Sequence, residues 1–121
     1  MKIMFIGLGL MGGALAMALE GYPDLECYAV DGDEPTRLEA LGRNVVRAAW
    51  PNADDAPIED MDIVVICLHP EAAADFVRRQ AGRIKPGALL TDVCGVKRPL
   101  FEAVGQVENR QFVYLGGHPM A

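Results

Sequence analysis

The chain has 121 residues, of which 51% are hydrophobic, 7% aromatic and 23% charged, and its formal net charge is −6. That length suits one folded domain with a real core and is short for a complete two-substrate enzyme. The acidic balance, with no run of lysines and arginines, argues against a nucleic-acid partner, because phosphate contacts need concentrated positive charge.

Taken in chain order, hydrophobic runs and breakers predict strands alternating with helices. Lys2–Ile6 reads as a short buried strand, residues 10–20 as an Ala/Leu/Met helix stopped by Gly21 and Pro23, and residues 26–31 as a second strand. A helix is expected from Pro35 to about Leu41, since proline is favoured in a first helical turn. A weak third strand is expected at 44–48, followed by a polar connection over 50–60 in which Trp50 serves packing. Residues 62–68 (DIVVICL) are the clearest central strand. A helix over 71–84, a strand over 88–93, a short helix over 97–104 and a strand over 111–115 complete the pattern.

Near-continuous apolar strands separated by helices predict an α/β fold of the Rossmann type. The expected sheet is doubly wound and parallel, with about six strands in a single domain covering residues 1–121. In such sheets ligands gather at the carboxyl ends of the strands. Residues 3–19 carry no charge, and Ala16-Met17-Ala18 could pass for a signal-peptidase site. Four glycines in this stretch (Gly7, Gly9, Gly12, Gly13) suit a turn better than a signal core. No segment reaches the roughly 20 apolar residues needed to span a bilayer, so no membrane partner is expected. Cys27, Cys67 and Cys94 are odd in number and widely spaced, which predicts no disulfide framework, no metal site and a reducing, cytoplasmic setting.

Gly7-Leu8-Gly9-Leu10-Met11-Gly12 matches G-x-G-x-x-G, with a strand directly before it and a helix directly after. Gly7 permits the tight turn, Gly9 lets the backbone approach a pyrophosphate, and Gly12 lets the helix pack against the strand. The helix N-terminus then offers free N–H groups to the phosphates. Asp31 ends the second strand, where a carboxylate accepts hydrogen bonds from a ribose 2′-hydroxyl and repels a 2′-phosphate. These residues predict NAD, with NADP less favoured; Arg37 would receive a 2′-phosphate only if Asp31 turned away. Leu68, His69 and Pro70 follow the central strand and are expected beside the cofactor, His69 in a packing or solvent-facing role rather than a catalytic one. Cys94 and Gly95 are expected to line the nicotinamide side. Lys97 is a candidate contact for a substrate carboxylate, with a plain surface charge as the equal alternative.

The segments Thr91-Asp92-Val93-Cys94-Gly95-Val96-Lys97 and Gly116-Gly117-His118-Pro119-Met120-Ala121 resemble the D-x-x-S-V-K and GGHPMAG segments of the prephenate and arogenate dehydrogenases. The resemblance implies oxidative decarboxylation of prephenate or arogenate, with NAD as the hydride acceptor and His118 as the catalytic base. An imidazole with a pKa near 6.5 suits removal of the hydroxyl proton. It also implies a homodimer completed by a helical substrate domain, which these 121 residues do not include. The chain alone is therefore expected to bind NAD and to turn prephenate over feebly or not at all. Gly95 departs from the family, standing where a serine commonly supports the catalytic histidine. On the residues alone two alternatives stay open: a non-catalytic dinucleotide-binding module, and a dehydrogenase domain of the 3-hydroxyacid or imine-reducing type.

Overall fold

A computed structural model describes residues 1–117. In it the strands β1 (Lys2–Ile6), β2 (Glu26–Val30), β3 (Ala48–Trp50), β4 (Ile63–Ile66), β5 (Leu89–Asp92) and β6 (Val113–Gly116) alternate with helices. The helices are α1 (Leu10–Ala18), α2 (Glu34–Gly42), α3 (Pro70–Gln80) and α4 (Arg98–Gly105). All neighbouring strands are parallel, in the order β3-β2-β1-β4-β5-β6. The chain winds outward from β1 to β3, returns beside β1 as β4, and winds outward again. The winding direction therefore reverses between β1 and β4, where a crevice opens at the carboxyl ends.

Side-chain alternation explains why the strands read as unbroken apolar runs. Met4 and Ile6 of β1, Val64 and Ile66 of β4 and Leu90 of β5 enter one core with Ala73, Phe76 and Val77 of α3 and Leu100 of α4. Ile3, Phe5, Ala29 and Val65 enter the opposite core with Ala16 of α1. Both faces are buried, so both must be apolar.

Helix α2 begins as its sequence predicts. The Asp33 carboxylate accepts hydrogen bonds from Thr36 N (3.1 Å) and Thr36 Oγ1 (2.5 Å), with Pro35 in the first turn. The third strand, expected at 44–48, lies instead at Ala48–Trp50. Asn44 takes a left-handed φ of 57° to close α2, and Val45 N donates back to Ala40 O. Val45 and Val46 are therefore buried in the core beneath the helix, and pairing with β2 begins only at Ala48. Trp50 sits in the sheet rather than in the connection, its ring 6.1 Å from that of Tyr28.

The helix expected over 71–84 is α3 plus a separate 3-10 turn, Ala81–Arg83, and the strand expected at 111–115 begins at Val113. Tyr114 of β6 faces α4, meeting Phe101 edge-on at 5.9 Å. Its neighbours Val113 and Leu115 point the other way, where no described helix covers them, and are 59% and 62% exposed. Among the described residues, no helix is long and apolar enough to cross a membrane. No group of histidine, cysteine and acidic side chains there could hold a metal, and the three cysteines are free.

Candidate functional site

The turn after β1 is shaped by close approaches. Gly7 has φ +96°, a conformation that side chains disfavour, and a Cβ there would lie 2.6 Å from the carbonyl oxygen of Cys67. A Cβ on Gly12 would lie 2.1 Å from the Gly7 carbonyl oxygen, so helix α1 rests directly on the turn that precedes it. Gly9 differs: a Cβ there would meet nothing within 4 Å, and the space above its backbone is open. Gly9 is the N-cap of α1 without a side-chain capping bond, and the first turn holds no acidic residue. The first N–H groups of α1 are thus left as donors for an anion, at the positive end of the helix. Leu10 and Met11, in that first turn, are both exposed.

Asp31 faces this turn. Its Oδ2 accepts a hydrogen bond from Leu8 N (2.8 Å) and its Oδ1 one from Asp33 N (2.9 Å). Arg37 donates through Nη1 to the main-chain oxygen of Asp31 at 2.8 Å, and its side chain is only 15% exposed. Asp31 is thereby turned toward the glycine turn, and the geometry considered for an Arg37 phosphate site is not adopted.

A cavity of about 320 Å³ opens between these groups. Its lining includes Gly7, Asp31 and Gly32, the apolar Leu68, Ala72 and Phe76, and a wall stretch of Asn52, Ala53 and Asp54. Asp75, Arg79 and Gln80 of α3, with Ile6 and Val30 at the strand ends, complete it. The wall stretch belongs to the polar connection before β4, to which sequence reasoning assigned no role. Polar loops carry no period, so no local signal identified it.

The remaining predicted residues do not line this cavity but follow one another along the same edge of the sheet. His69 is the exposed N-cap of α3, and its imidazole makes no capping bond. Pro70 is the first residue of that helix. Cys94 is buried and its thiol donates to the Leu68 carbonyl oxygen at 3.3 Å. Burial pushes the Cys94 thiol up to about 11 and the Cys67 thiol up to about 12, so both stay protonated near neutral pH. Neither is an activated nucleophile. Gly95 is exposed with open space around it.

Lys97 points inward. Its Nζ lies 2.5 Å from Oδ2 of Asp92, a carboxylate only 1% exposed at the end of β5. Asp92 Oδ2 also accepts from Cys94 N (2.9 Å), and its Oδ1 accepts from the Tyr114 hydroxyl (2.8 Å). Burial by itself would push this carboxyl up, but the three donors and the ammonium charge hold it below the ordinary carboxylate range. Burial of the phenol, and after it the contact with Asp92, push the Tyr114 hydroxyl up. Thr91 Oγ1 donates to Leu115 O at 2.6 Å, so the end of β6 is pinned to β5 on both faces. Asp92 and Tyr114 were not among the predicted site residues. The signal for Asp92 was an acid closing an apolar strand with a lysine five residues on. His118 lies outside the described residues.

A family model described as "Prephenate dehydrogenase, nucleotide-binding domain" matches residues 15–121. The prephenate dehydrogenase of Lactococcus lactis subsp. cremoris is 27% identical over 123 aligned residues, covering 99% of this chain and 34% of that protein. That of Bacillus subtilis is 28% identical, covering 98% and 32%. The chain thus spans about a third of the length of these curated relatives. Among solved structures, Synechocystis arogenate dehydrogenase superposes with a TM-score of 0.83 at 27% identity, over 98% of this chain and 41% of that one. The A. aeolicus prephenate dehydrogenase in complex with hydroxyphenyl propionate and NAD+ gives 0.83 at 20% identity over the same shares, a likeness of fold.

Proposed function

This chain belongs to the prephenate dehydrogenase nucleotide-binding domain family, and on that premise we propose that it supplies the NAD-binding half of a cytoplasmic, homodimeric enzyme of tyrosine biosynthesis. The reaction is oxidative decarboxylation of prephenate to 4-hydroxyphenylpyruvate. The reading is carried by the glycine turn and Asp31 facing each other at the mouth of the 320 Å³ cavity.

The residues present fit a dinucleotide. The open space over Gly9 and the uncapped start of α1 would take the pyrophosphate, and Asp31 the adenosine ribose hydroxyls. Asp31, Asp54 and Asp75 put three carboxylates around the cavity against the one guanidinium of Arg79, which Asp75 already pairs at 3.1 Å. A 2′-phosphate would meet net negative charge there, so NAD is favoured over NADP. Calorimetric titration should find NAD about ten- to a hundredfold tighter than NADP, the size of a hydrogen bond to a charged group. Asp31→Ala should erase most of that preference, because it removes the ribose acceptor and frees Leu8 N of the turn. Equal affinity of the unmodified chain for both cofactors would refute the assignment.

NAD held by the glycine turn and Asp31 would supply the hydride acceptor for the carbon that bears the substrate hydroxyl. His118 takes the hydroxyl proton on a ring nitrogen as the hydride leaves, and the bond to the ring carboxylate breaks, releasing CO2 and leaving an aromatic ring. Gly95 has no side chain with which to orient the imidazole. The framework offered in its place is the Asp92, Tyr114 and Thr91 contacts that fix the end of β6, directly before residue 118. In the full-length protein, prephenate-dependent NADH formation is expected, and His118→Asn should lower kcat by about 10²–10⁴ while leaving NAD affinity intact. Full-length protein that reduces NAD with neither prephenate nor arogenate would overturn the substrate assignment.

A further inference from the structure

The wall of the nucleotide cavity formed by Asn52, Ala53 and Asp54 contains no strand or helix, yet it is anchored by one side chain that does not line the cavity. Arg83, in the 3-10 turn after α3, donates through Nη1 to Ala53 O (2.8 Å) and through Nη2 to Ala56 O (2.5 Å). The same guanidinium pairs with Glu59 through Nε (3.1 Å) and Nη2 (2.8 Å), and with Gln80 Oε1 through Nη1 (2.8 Å). Gln80 is 4% exposed and relays this grip, its Nε2 donating to Asp54 Oδ1 at 2.6 Å. One planar fork thus ties Ala53, Ala56 and Glu59 and, through the buried amide of α3, Asp54 into a single unit.

We propose that Arg83, acting through Gln80, is a positioning residue for adenosine binding: it sets the distance between the wall and the Gly7–Asp31 side of the cavity. This rests on the nucleotide reading above. Within residues 52–56 the loop has of its own only the turn bond from Ala56 N to Ala53 O (3.2 Å) and the exposed Asn52–Asp55 contacts. A loop so sparsely tied has many accessible conformations, and ordering it at the moment of binding would weaken the complex. Pre-ordering by Arg83 removes that penalty before the ligand arrives.

The test is calorimetric titration of the intact protein with ADP-ribose. Arg83→Met keeps the aliphatic stem and should weaken binding about tenfold, the scale of one charge-assisted hydrogen bond. Gln80→Met should weaken it similarly, and the double variant should lose little more, because both act on one loop. Arg83→Lys, which can hold Glu59 but not both carbonyls, should recover only part of the loss. The control is Lys85→Met, which removes the 2.6 Å pair with Asp62 at the amino end of the sheet. It should leave the ADP-ribose Kd unchanged even where its loss of thermal stability matches that of Arg83→Met. Unaltered binding by folded Arg83→Met, or by Gln80→Met should the former not fold, overturns the proposal. So does an equal Kd increase in Lys85→Met. Failure of the unmodified protein to bind ADP-ribose instead overturns the nucleotide reading, and this proposal with it.

Discussion

Gly12→Ala is expected to abolish nucleotide binding and to destabilise the domain by about 1–3 kcal/mol, the usual range for forcing a methyl group into a packed site. The added Cβ would stand 2.1 Å from the Gly7 carbonyl oxygen and 3.2 Å from Cys67 Cβ, and neither neighbour is a flexible side-chain tip. Helix α1 must therefore lift away from the turn. That movement shifts the N–H groups aimed at the phosphates, and the strain falls on Gly7, whose own φ of +96° leaves little freedom. Gly9→Ala is the informative companion. Its methyl group would meet no protein atom within 4 Å, and its φ of −60° suits alanine, so stability should hold. Nucleotide affinity should still fall, because the methyl group occupies the space through which the pyrophosphate approaches. Urea unfolding and NAD titration of both variants separate the two roles. A stable, NAD-binding Gly12→Ala protein would contradict the packing account, and undiminished binding by Gly9→Ala would contradict the ligand account.

The second large effect is expected at Lys97. Lys97→Met leaves Asp92 buried without its cation, and breaking a buried pair from one side costs about 3 kcal/mol or more. Asp92→Asn together with Lys97→Met should recover much of this loss, since no charge is then left unpaired. The pH dependence has a definite sign. The native Asp92 carboxyl sits below its ordinary value, so its contribution is complete above the unfolded carboxylate range and is lost as pH falls through the folded value. In Lys97→Met burial is no longer offset by the ammonium, the folded value rises, and protonation relieves the buried charge. The stability difference between the two proteins should therefore be largest near neutrality and begin to shrink where the raised Asp92 carboxyl of the variant takes up its proton. It should go on shrinking until pH passes below the native folded value. Urea unfolding at neutral and acidic pH measures it. A difference that stays constant with pH would place the effect in packing rather than in charge.

This pair also changes the reading of Lys97 itself. From the sequence the residue could contact a substrate carboxylate or lie on the surface. In the fold its ammonium is held at Asp92, with the side chain 19% exposed.

What the sequence determined was what short-range physics dictates. Burial on both faces makes a parallel strand continuously apolar, and Lys2–Ile6 and Ile63–Ile66 were legible for that reason. A positive φ and a backbone approach within 3 Å demand glycine, so residues 7–12 announced their turn, and the spacing to Asp31 followed from the length of one βαβ unit. The tertiary structure decided what depends on partners far away in the chain. Val45 and Val46 look like strand residues, but the closing turn of α2 spends them on the core. The cavity wall at Asn52–Asp54 is tied to Gln80 and Arg83, which lie 26–30 residues further on. Asp92 became the buried anchor of the β5–β6 end only because Tyr114, 22 residues later, returns beside it. A polar side chain reveals its type locally, whereas its partner is chosen by how the chain winds. The cofactor turn could therefore be read from the sequence alone, while the residues that position the rest of the site required the fold.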